Sequence, residues 1–251
     1  MQTLGIIPSR FASTRFPGKP LVLIDGKTMI QRVYMQACKA QSLAKVVVAT
    51  DDERIFKHVQ SFGGQVVMTD KNHQSGTDRC AEVALNFQDM EAIVNIQGDE
   101  PFINPLQIDQ VAQQLEQNTV LNIATLAKKI TNSTQLFSPN IVKVVFNSHH
   151  IAHYFSRSPI PFLRGVDQNK WLTEGVFYKH IGIYGYRRTT LLEITQLPVS
   201  ILEKSESLEQ LRWLENGYTI GIGLTDIETV GIDTPSDLDK VRENGKNNLR
   251  I

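Results

Sequence analysis

Short apolar, β-branched runs alternate with stretches of helical periodicity through the first half of the chain. Residues 4–8, 45–49, 65–68 and 92–96 read as strands. Between them Ile30, Val33, Tyr34 and Ala37 recur at helical spacing, as do Ile55, Val59 and Phe62, so these stripes belong to a core. Strands that alternate with amphipathic helices predict an α/β fold, a mainly parallel sheet flanked by helices. Helix starts are predicted where Ser or Thr is followed three residues later by an acid or amide: Thr28 with Gln31, Thr50 with Glu53, Ser207 with Gln210, and Thr234 with Asp237. Pro235 at the first helical position strengthens the last of these. Beyond Phe137 the alternation is less regular. Residues 141–146 and 180–186 read as strands, and Pro159, Pro161 and Gly165 as loop. This stretch is expected to form a substrate lid and an oligomer contact.

At 251 residues the chain is long enough for one large α/β domain with a substantial buried core. Its 26 basic residues balance its 26 acidic ones, which argues against a surface built to attract nucleic acid or anionic membrane. Any anion site must be local. The first residues lack a basic n-region and no apolar run reaches the roughly 18 residues of a membrane span, so a cytoplasmic protein is expected. Cys38 and Cys80 have no C-x-x-C spacing, and Cys38 falls on an apolar helical stripe. Both are expected to be reduced structural thiols.

The first predicted strand runs into Pro8-Ser9-Arg10-Phe11-Ala12-Ser13-Thr14-Arg15-Phe16-Pro17-Gly18-Lys19-Pro20. Small residues let backbone N–H groups approach phosphate oxygens, arginine forks bind them in pairs, and a lysine supplies a compact charge. The loop therefore suits a polyphosphate, although three cations also fit a solvated surface loop. It is not a Walker A motif, because Pro20 follows Lys19 and no glycine precedes Gly18 at the needed spacing. It is not a dinucleotide fingerprint either.

Two carboxylates stand where strands end. Asp99 follows the 92–96 strand within Gln97-Gly98-Asp99-Glu100-Pro101, at the edge where open α/β sheets bind ligands. Asp233 follows Val230-Gly231-Ile232 and precedes the helix start at Thr234. Such a pair can share Mg2+ with phosphate oxygens. Either residue can equally serve as a cap or turn.

The loop from Pro8 to Pro20 resembles the signature loop of sugar nucleotidyltransferases, in the form found in cytidylyltransferases that activate acidic sugars. His73-Gln74-Ser75-Gly76-Thr77-Asp78-Arg79, the Asn95 to Pro101 string, Tyr154-Phe155-Ser156-Arg157, His180-Ile181-Gly182-Ile183-Tyr184, Leu208-Glu209-Gln210-Leu211-Arg212 and Gly231-Ile232-Asp233-Thr234-Pro235 follow in the order seen in the 3-deoxy-manno-octulosonate (Kdo) cytidylyltransferase family. The resemblance covers the chain from end to end. It implies a single Rossmann-like, GT-A-like domain over residues 1–251, with residues about 137–217 adding sugar-binding and dimer-contact elements, and a homodimer.

It implies transfer of CMP from CTP to the anomeric hydroxyl of Kdo, releasing pyrophosphate and activating the sugar for lipopolysaccharide biosynthesis, with Mg2+ as cofactor. The catalytic residues would be Arg10, Lys19, Asp99 and Asp233, with Asp99 and Asp233 as the metal ligands. Pro8, Ser9, Arg10, Arg15, Lys19, Ser75, Gly76, Arg79 and Gln97 would hold the nucleotide, the Ser75 segment at a helix start whose free N–H groups favour oxygens. Gln97, Arg157, His180, Tyr184, Glu209 and Gln210 would hold the sugar, with Glu209 and Gln210 in the first turn of the helix capped at Ser207. Glu209 also fits a helix-dipole role, and Tyr184 a core position. The segment Pro161 to Gly165, with Trp171, leaves the C8 substituent open. An 8-amino-Kdo or sialic acid enzyme is therefore the near alternative, and a GT-A glycosyltransferase the distant one, since no Asp-x-Asp motif follows the 92–96 strand.

Overall fold

The structure is a computed structural model and describes residues 1–12, 16–229 and 231–248. The described chain divides into two compact units, residues 1–109 with 228–251 and residues 110–227.

The first unit contains β1 (Thr3–Ser9), β2 (Leu23–Ile24), β3 (Lys27–Thr28), α1 (Met29–Ala37), β4 (Lys45–Thr50), α2 (Glu53–Ser61), β5 (Val66–Met68), α3 (Gly76–Leu85) and β6 (Ala92–Asn95). The chain passes to the second unit within α4 (Pro105–Gln117). There follow β7 (Ile123–Lys129), α5 (Ser133–Phe137), β8 (Lys143–Phe146), β9 (Ala152–Ser156), α6 (Trp171–Glu174), β10 (Tyr178–Arg187), α7 (Arg188–Ile194), α8 (Ile201–Glu206), α9 (Gln210–Glu215) and β11 (Ile220–Leu224). The last helix, α10 (Pro235–Asn248), returns to the first unit.

In the first unit β6, β1, β4 and β5 lie side by side, all parallel. Their near-continuous apolar runs reflect burial on both faces. Leu4, Ile6, Val47, Val48, Ile93 and Val94 have essentially no exposure, and α1, α2 and α3 turn Ile30, Val33, Ile55, Val59 and Val83 onto them. The chain leaves β1 for β4 and β5 on one side and returns to β6 on the other. The gap between the carboxyl ends of β1 and β6 is thus a topological switch point, the usual ligand crevice of such sheets. A smaller cluster of Ile24, Met29, Ile232, Leu238 and Val241 seats α10 against the β2–β3 hairpin, which holds the Asp233 segment in this unit.

The second unit pairs β10 antiparallel to β7 and β11 parallel to β7, with β8 and β9 forming an antiparallel pair. Along β10 the register with β7 shifts between Ile181 and Tyr184, a bulge.

Three local expectations are corrected. The helix predicted to start at Thr50 is capped by Asp52, whose carboxylate accepts from the Arg54 N–H at 2.9 Å. Thr50 is instead the last residue of β4. Ser207 is not an N-cap: it ends α8 in the left-handed conformation, φ 52°, and α9 begins after Glu209. Cys38 lies off the buried stripe, as the exposed C-cap of α1, whereas Cys80 is buried in α3. Thr28 and Thr234 cap as expected, with Thr234 and Asp237 bonded reciprocally at 3.0 and 3.2 Å.

Candidate active site

A cleft of about 280 Å³ opens at the switch point, walled by Pro8, Ser9 and Arg10 from the end of β1, Lys19 and Pro20 from the following loop, residues 73–76 and 79 at the start of α3, Gln97 to Asp99 after β6, and Asp233 before α10. Ten of the residues singled out in the sequence therefore share one wall-to-wall site: Pro8, Ser9, Arg10, Lys19, Ser75, Gly76, Arg79, Gln97, Asp99 and Asp233. Arg15 lies outside the described residues.

Local chemistry explains the shape. Gly98 lies so close to β1 that a Cβ there would stand 2.7 Å from the Pro8 carbonyl oxygen, so only glycine lets the two strand ends meet. Gly18, at φ 72°, turns the loop so that its N–H donates to the Phe11 carbonyl at 3.0 Å and Lys19 points inward. Ser75 and Asp78 close a capping box at 3.1 and 3.0 Å, which fixes the start of α3 with Ser75 and Gly76 on the cleft wall. Among the described residues Ser9 Oγ, buried in the wall, has no hydrogen-bond partner, an orphan of the kind a ligand satisfies. Among the described residues Arg10 makes no ion pair or hydrogen bond, and its side chain is exposed at the rim. Arg79 differs from it. It is 4% exposed, its guanidinium pairs with Asp51 at 3.0 Å and bonds Thr69 Oγ1, so it braces the ends of β4 and β5 beneath the cleft.

Asp99 and Asp233 are brought together by the backbone, since the Ile232 N–H donates to the Asp99 carbonyl at 2.9 Å. The Lys19 ammonium sits between their side chains, 2.8 Å from Asp99 Oδ2 and 3.2 Å from Asp233 Oδ1. Two carboxylates thus converge on one cation position, and hard oxygen donors of this kind fit Mg2+, which binds through one or two carboxylates plus substrate phosphates. Among the described residues there is no cluster of three or more His, Cys, Asp or Glu suited to hold a metal alone, so such an ion would complete its shell from phosphate and water. Beside Asp99, burial and the neighbouring carboxylate push the Glu100 pKa up to about 7, and its Oε2 is buried without a partner among the described residues. The sequence reading passed over Glu100 because nothing in the string reveals that burial.

The remaining expected residues lie in the second unit. His180 and Tyr184 are four apart on β10, which in a straight strand would separate them by about 13 Å. The bulge between Ile181 and Tyr184 draws their rings to 5.2 Å. Thr125 Oγ1 lies 2.7 Å from the Ile183 carbonyl and 2.9 Å from His180 Nε2. A hydroxyl has one proton, and the carbonyl can only accept it, so His180 donates through Nε2–H and leaves Nδ1 as an acceptor. Burial holds its pKa down to about 3, a neutral ring. Tyr184 is 8% exposed, its hydroxyl has no hydrogen-bond partner among the described residues, and burial, with Glu209 nearby, raises its pKa. Gln210 is buried as the first residue of α9, and Glu209 precedes it at the N-cap position. Arg157 follows β9, with its guanidinium on the carbonyls of Pro139, Glu206 and Ser207. Thr125, Asp51, Lys143 and Glu206 were missed; the only sequence signal among them is Lys143, a charge inside the apolar run 141–146.

A cationic loop rich in small residues after the first strand and paired carboxylates at a switch point have the make-up of a nucleotidyltransferase-type site on an α/β fold. The family model described as cytidylyltransferase matches residues 4–222. The 3-deoxy-manno-octulosonate cytidylyltransferase of Parabacteroides distasonis is 55% identical over 96% of this chain and 96% of its own length, and that of Bacteroides thetaiotaomicron is 55% identical over 98% and 99%. A solved structure of CMP:2-keto-3-deoxy-manno-octonic acid synthetase complexed with CTP superposes with a TM-score of 0.92 at 42% identity, covering 99% of this chain and all of that one. The chain belongs to the cytidylyltransferase family and, within it, to the 3-deoxy-manno-octulosonate cytidylyltransferases.

Proposed function

We propose that the chain transfers CMP from CTP to the anomeric hydroxyl of Kdo, giving CMP-Kdo and pyrophosphate and activating the sugar for lipopolysaccharide assembly. The observation that carries this reading is the convergence of Arg10, Lys19, Asp99 and Asp233 on one cleft at the β1–β6 switch point. The sugar hydroxyl oxygen forms the new bond to the α-phosphorus while the bond from that phosphorus to the oxygen bridging to the β-phosphate breaks in line, pyrophosphate leaves with the bond pair, and the hydroxyl proton passes to solvent water. Ser9 and the first turn of α3 bind the nucleotide, with Arg15 assigned to the same loop. Arg10 and Lys19 balance the charge of the leaving pyrophosphate, since an exposed arginine and a flexible lysine stem can both follow it. Asp99 and Asp233 would hold Mg2+, which when bound neutralises phosphate charge and makes a coordinated hydroxyl more acidic.

Arg157, with two guanidinium N–H groups left over from its backbone bonds, would meet the sugar carboxylate. His180 Nδ1, the Tyr184 hydroxyl, Gln97, Glu209 and Gln210 would take the sugar hydroxyls. A homodimer acting in the cytoplasm completes the proposal; among the described residues no helix is long and apolar enough to cross a membrane. The test is pyrophosphate release with CTP and Mg2+ across Kdo, 8-amino-Kdo and a sialic acid. Kdo should give the highest kcat/KM, and a clear preference for either rival would reassign the sugar.

A further inference from the structure

Lys143 opens β8 with no exposed surface, an unfavourable place for an ammonium unless every donor is met. All three of its N–H donors end on backbone carbonyls: Ser138 at 2.9 Å, Ile141 at 2.7 Å and Arg157 at 2.6 Å. Burial lowers its pKa, with Glu206 opposing and Arg157 adding to that shift. The cage therefore ties the 138–141 turn to the residue after β9.

Arg157 is held from the other side by Glu206. One Glu206 oxygen accepts the Arg157 backbone N–H at 2.9 Å, and the other accepts Ser156 Oγ at 2.6 Å. The Arg157 guanidinium then donates to the carbonyls of Glu206 at 2.6 Å, Pro139 at 3.0 Å and Ser207 at 3.3 Å. Pro139 lies within the turn that Lys143 fixes, so Lys143 sets both the Arg157 main chain and one acceptor of its side chain. Ser207 carries the left-handed turn that leads within three residues to Glu209 and Gln210. The brace thus joins the 138–141 turn and the Glu206–Ser207 end of α8 to the Ser156–Arg157 end of β9, with Arg157 bonded to both.

We propose that Lys143 and Glu206 are positioning residues for the acidic-sugar side of the reaction: they fix Arg157 and the Ser207 turn in one geometry, so that the free guanidinium donors and the Glu209–Gln210 pair meet the sugar without reorganising. The inference rests on the assignment of Arg157 to the sugar carboxylate. A preorganised donor set lowers the cost of binding and aligning the reactant, so its loss falls on the sugar and not on the nucleotide.

The experiment is steady-state pyrophosphate release by Lys143→Met, Glu206→Gln and Arg157→Ala, alone and as the two doubles containing Arg157→Ala, with Kdo and CTP varied in turn. Lys143→Met and Glu206→Gln should each raise the KM for Kdo by about tenfold while the KM for CTP stays within about twofold. In the Arg157→Ala background neither should raise it further, because both act through that side chain. A purely structural role predicts additive losses, or equal losses toward both substrates, and either result overturns the inference. Should Lys143→Met not fold, the near-isosteric Glu206→Gln carries the same test. If Arg157→Ala raises the KM for Kdo and the other two do not, the inference fails and the assignment of Arg157 stands. If Arg157→Ala leaves that KM unchanged, the assignment fails and the inference with it.

Discussion

Lys19 Nζ lies 2.8 Å from Asp99 Oδ2, and the same ammonium reaches Asp233. In this arrangement a side chain assigned to the leaving pyrophosphate offsets one of the two negative charges assigned to the metal. Lys19→Met removes the cation and leaves the carboxylates facing each other. Both acids are partly exposed, 31% and 47%, so solvent screens the repulsion and the expected loss is about 1 kcal/mol, a fall of a few degrees in Tm. Added Mg2+ should recover that loss in the variant, because an ion that binds only the folded state stabilises it. A variant whose Tm ignores millimolar Mg2+ would contradict the metal assignment.

Asp99→Asn keeps the shape of the side chain and removes its charge. Backbone bonding from Ile232 to the Asp99 carbonyl does not involve the side chain, so the fold and the position of the Asp233 segment should persist. Turnover should fall by about a hundredfold or more, with a Tm within a few degrees of the parent. Near-normal pyrophosphate release by a folded Asp99→Asn protein would remove this residue from the chemistry.

Gly98→Ala tests the close approach of β1 and β6. The added methyl would meet the Pro8 carbonyl oxygen at 2.7 Å, backbone that can move only by spreading the strand ends. Overpacking of this kind costs about 1–3 kcal/mol, and here the displacement falls on the wall of the nucleotide cleft. The KM for CTP should rise together with the loss of stability. Unchanged CTP kinetics in this variant would show that the cleft does not use that wall.

What could be read from the chain was what local spacing encodes. The parallel strands, the stripes of α1 and α2 and the caps at Thr28 and Thr234 depend on neighbours within a turn, as does the ordering of small and cationic residues from Pro8 to Pro20. Caps failed where two candidates lay close together: Asp52, adjacent to Glu53, displaced Thr50. Ser207 carried a capping pattern but ends α8 in a left-handed turn, with its N–H on the Glu203 carbonyl and its own carbonyl accepting from Arg157, fifty residues earlier. The pairing of Lys19 with Asp99 and Asp233 spans much of the sequence, and the bulge that gathers His180 and Tyr184 depends on β7. Periodicity carries no record of either. Arg79 was legible as a cleft residue, yet its engagement by Asp51 required knowing that β4 and β5 end beside α3.

His180 connects burial to pH. In the folded chain its pKa is held down to about 3, against 6.5 for an ordinary histidine, because burial penalises the charged ring. Between those values the unfolded chain binds a proton that the folded chain refuses, so acidification favours unfolding. The contribution is fully present above pH 6.5 and is lost progressively as pH falls toward 3. Complete exclusion of the proton would give a slope of about 1.4 kcal/mol per pH unit, but part of the residue remains accessible, so about half of that is expected. Tm measured from pH 7.5 to 5 should therefore fall more steeply in the parent than in His180→Gln, whose amide can still donate to Thr125 Oγ1 but takes up no proton. Over the same range the folded ring stays neutral and Nδ1 remains the acceptor left by the Thr125 bond, so His180 should contribute no rise in the KM for Kdo between pH 7.5 and 5. Parallel Tm curves for the two proteins would show that His180 titrates normally and that its ring is not held neutral by the fold.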